Sequence, residues 1–331
     1  MSVLPATVAQ RVSPSIHAAA VVGVWLLVAA CAGWALVRVF GLDTGGLVIM
    51  LISFTPYVAF GSVAVLAAAL ALRTWWAAGV AGLAAAALLA CVLPRAVPGH
   101  AVATAGPRLR ILSSNMLVGG ADPRSIVELV RRERVDLLAL QEFTPDAERR
   151  LDAAGLADLL PHRVSYPIVG TEGSGLYSRY PLRDDGLRTQ RSGFTQARAT
   201  VSVPGVGGVA VESAHPCAPS SPTMVACWRA DLIDEPPATP GAGLRVLAGD
   251  FNSTLDHTEF RRLIASGYRD AADVRGGGLR PTWPFDGTPV PPVTIDHILA
   301  DRRAGVARYA VFTVRNSDHH AIFAELVLPA G

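Results

Sequence analysis

Acidic, amide and imidazole side chains recur in the C-terminal two thirds of the chain, near the ends of apolar runs. "LRVLAG" leads into Asp250 and Asn252, "DLLALQ" into Glu142 and "VAVESA" into His215. The other members of this set are Asn115, Asp296, Asp318 and His319. Carboxylate and amide oxygens suit Mg²⁺ or Mn²⁺ better than zinc, and an imidazole beside carboxylates can act as a general base. This combination predicts metal-assisted hydrolysis of a phosphoester.

Each of these residues also has an ordinary structural explanation when it is taken alone. A glutamate after a strand is usually a solvated loop residue, Asp250 can form an Asx turn, and Asn115 can cap a loop. Their occurrence together, at equivalent places in successive strands, favours a functional site.

Hydrophobic periodicity predicts the elements that position these side chains. "RLRILSSNM" alternates as a strand does, while "VDLLALQEF" and "LRVLAGDFN" are typical of buried strands. Asp122 and Pro123 begin an amphipathic helix, and Gly267 ends a second one, "HTEFRRLIASG". "ARATVSV" and "GVAVESAH" flank a Pro-Gly turn, and "VTIDHILA", "ARYAVFTV" and "AIFAELVL" follow as strands. The pattern indicates an α/β fold in which sheets pack face to face with helices outside.

The first hundred residues differ sharply in composition, with only five charged side chains. These are Arg11, Arg38, Asp43, Arg73 and Arg95. Apolar runs at residues 16–37, 47–72 and 75–93 are near or above the ~20 residues that a helix needs to span a bilayer. A signal peptide would have a shorter apolar core, and buried core helices would show a polar face. We therefore expect three transmembrane helices.

This division predicts a membrane region at residues 1–94, a Pro- and Gly-containing linker at 95–107 and a catalytic domain at 108–331. Three spans would place the two ends of the chain on opposite sides of the membrane. The positive-inside rule leaves the orientation open, because two arginines of the membrane region fall on each side. The spans contain no charged or histidine side chain in their interiors that would mark a channel or transporter pathway.

Residues 108–331 carry 25 arginines and 26 acidic residues, since four arginines and Asp43 lie before them. This balance counts against tight binding of duplex nucleic acid, which usually requires a basic surface. Cys217 and Cys227 bracket a Pro- and Ser-rich segment that we expect to be a loop, and such a pair favours a disulfide in an oxidising compartment. The alternative is a pair of free thiols in the cytosol. With the N-terminus inside, the catalytic domain would lie on the extracytoplasmic side of the cell membrane.

The motifs "SSNM", "LLALQEF", "GSGLYSRYPL", "VESAHP", "LAGDFNST", "TIDHILA" and "SDHHAIFAEL" occur in this order. In the order and content of these motifs, the chain resembles the endonuclease/exonuclease/phosphatase superfamily, which has a deoxyribonuclease-like fold. The resemblance covers about two thirds of the chain, from Arg108 onwards. It implies a four-layered α/β sandwich, with two sheets inside and helices outside, preceded here by the three predicted transmembrane helices.

The resemblance also implies roles for individual residues. Glu142 matches the metal ligand, Asn115 helps to place metal and phosphate, and Asp318 supports the metal site. Asp250 lies beside the metal and the attacking water. The implied cofactor is Mg²⁺ or Mn²⁺.

The catalytic roles follow in the same way. His319 matches a general base or transition-state partner that Asp296 orients, Asn252 holds the phosphate, and His215 contacts or protonates a phosphate oxygen. Strand alternation directs His297 away from Asp296, so we interpret His297 as structural.

Several functions remain compatible with these residues. The superfamily includes nucleases, sphingomyelinases and phosphoinositide phosphatases, so the substrate is a nucleic acid, a lipid headgroup or another phosphoester. A membrane anchor favours a substrate near the bilayer. A membrane-anchored binding module that has lost catalysis is the alternative, although the intact set of acidic and imidazole residues argues against it.

Overall fold

The computed structural model describes residues 14–99, 105–239 and 241–330. Arg11 lies outside these ranges. The described chain divides into two compact units. The first contains the chain up to Phe40 together with Thr55–Cys91, and the second contains Gly41–Phe54 together with the chain from Val92.

The first unit consists of three apolar helices, α1 (Pro14–Phe40), α3 (Thr55–Ala71) and α4 (Trp75–Val92). Among the described residues, two helical stretches, Pro14–Phe40 and Trp75–Ala96, are long and apolar enough to cross a membrane. Large apolar side chains such as Trp76 (86% exposed) lie on the surface of the unit, as they do in a bilayer-facing helix.

The predicted second span, residues 47–72, is not one helix. It consists of α2 (Gly46–Ile52) and α3, which are bent by 77° where they meet. Helix α2 belongs to the second unit, where Ile49 is fully buried in a hydrophobic cluster. The third predicted span therefore has support only if the bent pair counts as one crossing.

The second unit contains two sheets, each with six strands in the described ranges. The strands of the first sheet, in spatial order, are β11 (Gly305–Thr313), β12 (His320–Val327), β1 (Arg108–Asn115), β2 (Leu137–Gln141), β4 (Ser174–Ser178) and β3 (His162–Tyr166). The strands of the second are β5 (Leu182–Thr189), β6 (Thr195–Val203), β7 (Gly207–Ala214), β8 (Leu244–Asp250), β10 (Asp296–Asp301) and β9 (Tyr268–Asp270). The predicted α/β class with two sheets is confirmed.

Besides α2, the described part of the second unit contains one short helix before β1 and six helices between its strands. They are a 3₁₀ helix at Leu93–Ala96 and the α-helices α5 (Pro123–Arg132), α6 (Pro145–Ala153), α7 (Leu156–Leu159), α8 (Pro222–Asp234), α9 (Thr258–Ala265) and α10 (Ala271–Val274). Asp122 caps α5 through the Arg124 N–H, as its sequence position predicts. Helix α8 corrects the sequence analysis, which expected a loop from Cys217 to Cys227. Ser221 caps the first turn and Pro222 occupies the first helical position, a combination that begins helices.

Three hydrophobic clusters hold the unit together. One joins residues of both sheets, including Ile111 and Leu176 of the first and Val246 and Ile298 of the second. A second joins α5, α6 and α7 to the first sheet, and a third joins α8 and α9 to the second sheet. Alternation along each strand produces this arrangement, because successive side chains face opposite sides of a sheet.

Candidate active site

The ends of several strands meet at one edge of the two sheets. β1 runs parallel to β2 and β7 runs parallel to β8, so the last residues of each pair lie side by side. β12 is antiparallel to β1 and β10 is antiparallel to β8, so their first residues reach the same edge. Asp250 is paired directly with Asp296. Strand polarity therefore gathers side chains that are far apart in the sequence.

Asn115 links the two sheets at this edge. Its Nδ2 donates to Glu142 Oε1 at 3.2 Å and to Asp250 Oδ2 at 3.1 Å. The second oxygen of Glu142 accepts from the Val118 N–H at 2.7 Å. Burial raises the pKa of Glu142, because a desolvated carboxylate is less stable in its charged form.

His319 and Asp296 form a buried hydrogen-bonded pair. Asp296 Oδ2 lies 2.9 Å from His319 Nδ1, and Asp250 Oδ2 lies 3.6 Å from His319 Nε2. Burial lowers the pKa of His319, but the carboxylates of Asp296 and Asp250 outweigh burial and raise it to about 10. Burial raises the pKa of Asp250 to about 7, against the opposing effect of His319.

His215 approaches Asp250 from β7. Its Nε2 lies 3.8 Å from Asp250 Oδ2, and its ring contacts Phe194 edge to face with 4.8 Å between centroids. Burial, together with the nearby His319, lowers the pKa of His215 to about 3, so the ring is neutral at physiological pH. A neutral imidazole still offers one N–H donor.

Asn252 follows Asp250 in a left-handed backbone conformation with φ of +48°, a region in which asparagine is enriched. Its N–H donates to Asp250 Oδ1 at 2.8 Å, and its Nδ2 donates to the Pro216 carbonyl at 3.0 Å. The amide is thus fixed beside the carboxylate and the loop after β7.

Asp318 lies near this group, since its charge acts on both Glu142 and His319. Its Oδ2 accepts from Trp283 Nε1 at 2.9 Å, and its Oδ1 is buried without a hydrogen-bond partner among the described residues. Trp283 was missed by the sequence analysis. The signal was an aromatic residue in "TWPF", in a segment with no strand or helix periodicity.

Two other histidines near the motifs have contacts of their own. His297 is fully buried, with Nδ1 2.7 Å from Asp270 Oδ2 and Nε2 2.9 Å from the Ser253 carbonyl. This agrees with its interpretation as a structural residue. His320 packs against the exposed ring of Phe285 with 3.5 Å between centroids.

The donor set fits a divalent cation. Glu142 and Asp250 both carry raised pKa values, as expected where carboxylates lie close together and out of water. The unpartnered Asp318 oxygen adds a third oxygen donor. At this site, the acidic and histidine ligand atoms that lie within 4.8 Å of one another among the described residues are those of Asp250, Asp296 and His319, and of these Asp296 and His319 are hydrogen-bonded to each other.

Cys217 and Cys227 are free thiols in the described part of the chain, so the predicted disulfide is not formed in this structure. The two sulfurs and an Asp231 oxygen nevertheless lie within 4.8 Å of one another. Burial and the neighbouring Cys227 thiol raise the pKa of Cys217, which favours its protonated form.

A family model described as "Endonuclease/Exonuclease/phosphatase family" matches residues 112–319, which include every candidate residue above. The chain belongs to this family. No curated protein matches the sequence.

Solved structures of family members share the fold. The structure of an endonuclease/exonuclease/phosphatase from Beutenbergia cavernae DSM 12333 is 21% identical, with a TM-score of 0.52 over 67% of this chain and 72% of that chain. TDP2 from D. rerio, solved with a single-strand DNA product, is 18% identical, with a TM-score of 0.52 over 66% and 98%. TDP2 from C. elegans is 17% identical, with a TM-score of 0.52 over 68% and 77%. At these identities the likeness concerns the fold alone.

Proposed function

We propose that the chain is a membrane-anchored, divalent-metal-dependent phosphoesterase. One observation carries the proposal: Asn115, Glu142 and Asp250 converge with the Asp296–His319 pair at one edge of the two sheets. Family membership supports hydrolysis of phosphoester bonds as the reaction class. The fold proposed for the catalytic unit is the four-layered sandwich, with each sheet covered by the helices of its own hydrophobic cluster.

In this proposal Glu142, Asn115 and Asp250 hold the cation, and Asp318 supports it. A bound Mg²⁺ or Mn²⁺ would stabilise negative charge on the phosphoryl oxygens. Asn115 contributes by holding both carboxylates in fixed positions through its two Nδ2 hydrogen bonds.

The remaining residues act on the phosphate and on the proton. Asp296 accepts from His319 Nδ1–H, which fixes the tautomer and directs Nε2 toward Asp250. Because its pKa is raised to about 10, His319 is protonated near neutral pH and acts there as a hydrogen-bond donor in the transition state, whereas a role as base requires loss of that proton. Asn252 holds the phosphate, and neutral His215 contacts a phosphate oxygen as a donor.

The first test is hydrolysis of a bis-aryl phosphodiester by the full chain in detergent with Mg²⁺ or Mn²⁺. We expect Glu142→Ala and His319→Ala each to lower the rate by about 10²–10⁴-fold, because each removes a charge or proton donor that acts on the reacting group. Excess EDTA should abolish activity.

Arg303→Gln is a matched control, since it changes an ion pair with Asp301 at the far end of β10. Wild-type activity in Glu142→Ala, or in excess EDTA, would refute metal-dependent hydrolysis. A folded wild-type chain that hydrolyses no phosphoester but binds one would support the alternative, an inactive binding module.

The substrate class is tested with a panel of phosphoesters. One structural neighbour was solved with a single-strand DNA product, which supports DNA as a candidate. The balanced charge of residues 108–331 counts against duplex binding, and the apolar helices favour a lipid headgroup. Comparing kcat/KM on DNA, RNA, sphingomyelin and phosphoinositide vesicles separates these possibilities.

We further propose that α1 and α4 cross the cell membrane together with α3 as a shorter span of 17 residues, without α2, and that the catalytic unit lies on the extracytoplasmic side. The chain leaves this unit at Phe54 and returns to it at Val92. It must therefore cross the membrane an even number of times in between, which α3 and α4 do as a pair. A single crossing by α1 then places the N-terminus on the opposite side.

In that compartment we propose a Cys217–Cys227 disulfide. An oxidant of the compartment would take two electrons and two protons from the thiols as the S–S bond forms. The sulfurs already lie within 4.8 Å, but a bond of about 2.05 Å requires their side chains to move. With Asp231 the pair offers three metal-ligand groups, fewer than the four of a structural zinc site.

A further inference from the structure

Two segments that flank the membrane helices pack against the loop that carries Asn252. We call them the buttress segments: Gly41–Phe54, which contains α2, and Leu93–Gly99. Both belong to the same compact unit as the candidate active site. The loop in question, Phe251–His257, joins β8 to α9.

The second buttress segment contacts this loop through a buried ion pair. Arg95 donates to Asp256 twice, from Nη1 at 2.8 Å and from Nη2 at 2.6 Å. The two side chains are only 6% and 0% exposed. A bidentate pair of this kind fixes direction as well as distance, because the guanidinium and carboxylate planes must align. Gly278 N–H also donates to the Arg95 carbonyl at 3.1 Å, which holds the arginine backbone.

The first buttress segment contacts the end of the loop and the start of α9. Asp43 accepts from the Thr258 N–H at 2.9 Å and from the Thr258 hydroxyl, so it caps α9 from a distant part of the chain. His257 Nε2 lies 3.0 Å from the Ile49 carbonyl. Gly46 lies so close to α8 that a Cβ on it would be 3.0 Å from Pro222 Cα.

His257 connects the first buttress segment to the loop through hydrogen bonds of both ring nitrogens. Its Nδ1 accepts from the Thr254 N–H at 2.9 Å, so Nε2 carries the proton that it donates to Ile49. On the other side, Trp228 Nε1 donates to Ser253 Oγ at 2.9 Å. Asn252 thus lies directly before a turn that is hydrogen-bonded both to the domain core and to the buttress segments.

We propose that the buttress segments set the position of Asp250 and Asn252 in the active site, and that Arg95, Asp256 and His257 are positioning residues for the reaction. This rests on the proposed function. In this proposal the three residues act through the loop and not on the phosphate itself. Asn252 has a left-handed backbone conformation, and a residue keeps such a conformation when contacts fix the residues on both sides of it. The segments that adjoin the apolar helices in the sequence are therefore part of the scaffold of the active site.

The test uses the full chain in detergent with a bis-aryl phosphodiester and Mg²⁺. We expect Arg95→Gln to lower kcat/KM about 10- to 100-fold, mainly through a higher KM, because Asn252 would no longer be held against the phosphate. Arg95→Lys, which keeps the charge, should recover part of this loss. The double variant Arg95→Gln/Asp256→Asn should be less impaired than the sum of the two single changes, since the two side chains form one contact.

Arg303→Gln is the matched control and should change kcat/KM less than twofold. Amide hydrogen exchange gives a readout that does not depend on activity: Arg95→Gln should increase exchange across Asn252–Thr258 and leave β1 and β2 protected. If Arg95→Gln does not accumulate as folded protein, Asp43→Asn, a nearly isosteric change on the other segment, replaces it.

Wild-type kinetics together with wild-type exchange in the loop of a folded Arg95→Gln or Asp43→Asn variant would overturn the proposal. Increased loop exchange with unchanged KM and kcat would also overturn it, because the contact would then be structural only. A wild-type chain with no phosphoesterase activity would refute the proposed function, while the exchange comparison would still show whether the segments hold the loop.

Discussion

Asp296 and Glu142 are both carboxylates of the candidate active site, but their partners differ. Asp296 contacts His319, whereas Glu142 contacts Asn115 and the Val118 N–H. We therefore expect Glu142→Gln to raise the Mg²⁺ concentration needed for half-maximal activity more than Asp296→Asn does.

Asp296→Asn should instead change the pH dependence. The Asp296 carboxylate raises the pKa of His319, so its loss should move the His319 limb of the pH–rate profile to lower pH. Metal titrations and pH–rate profiles of both variants measure the two effects. The reverse ranking would show that the two carboxylates have exchanged roles.

Glu235, at the C-terminal end of α8, is a second buried carboxyl group with a testable consequence. It is 4% exposed, and Gln190 and Gln196 donate to its Oε1 at 3.0 Å and 2.7 Å. Burial, with a contribution from Glu212, raises its pKa to about 8 from 4.5. Between these values the folded state keeps a proton that the unfolded state releases, so stability falls as pH rises through this window.

Glu235→Gln should weaken this dependence, because glutamine stays neutral at every pH. Denaturant unfolding of the full chain at pH 5 and pH 8 should show a smaller loss of stability in the variant than in the wild type. The exposed Glu128→Gln serves as the control. Equal losses in all three chains would contradict the assignment of the proton to Glu235.

Most of the candidate site residues could be predicted from the sequence because strand ends are local features. Each of Asn115, Glu142 and Asp250 ends or follows an apolar strand, and strand polarity brings them together. The Trp283–Asp318 hydrogen bond could not be predicted, because Trp283 lies in an irregular segment whose path depends on tertiary contacts.

At the level of elements, hydropathy did not separate a helix of the apolar helical unit from one buried in the catalytic unit. Residues 47–72 form an unbroken apolar run, yet α2 packs on the catalytic unit while α3 belongs to the helical unit. A short apolar helix has the same hydrophobic sequence pattern whether it packs against protein or faces lipid. The two helices differ in what they pack against. Helix α2 packs in a cluster with Trp228 of α8 and Phe260 of α9, and both residues are distant from it in the sequence.

Ile49→Ala tests the assignment of α2 to the catalytic unit. Ile49 is fully buried, so we expect a loss of about 2–5 kcal/mol in the free energy of unfolding of that unit. Leu51→Ala, on the same helix with 40% exposure, should cost much less. Unfolding in denaturant, monitored by tryptophan fluorescence, measures the loss of stability in both variants. Equal losses would show that α2 faces lipid or solvent instead.

At the scale of the whole molecule, the chain alternates between its two units. It leaves the helical unit at Phe40, contributes Gly41–Phe54 to the catalytic unit, and returns to the helical unit at Thr55. A fragment that begins at Arg108 would therefore lack Arg95, Asp43 and Ile49, and would leave the Asp256 carboxylate buried without its arginine. The compact unit also contains Gly41–Phe54 and the chain from Val92, segments that composition groups with the apolar helices and the linker, because composition does not record which segments pack together.

The membrane topology proposed above can be tested in cells. In that proposal the catalytic unit lies outside the cytoplasm, α3 and α4 cross as a pair because Gly41–Phe54 belongs to the same unit as the catalytic strands, and the N-terminus lies inside. Added protease should then remove the catalytic unit from whole cells, while a tag at the N-terminus stays protected. Outside the cytoplasm Cys217 and Cys227 should resist maleimide until they are reduced, and closure of this short loop should stabilise the unit by roughly 2–3 kcal/mol. Protection of the catalytic unit from protease, together with freely labelled thiols, would place it in the cytoplasm and refute both the topology and the disulfide.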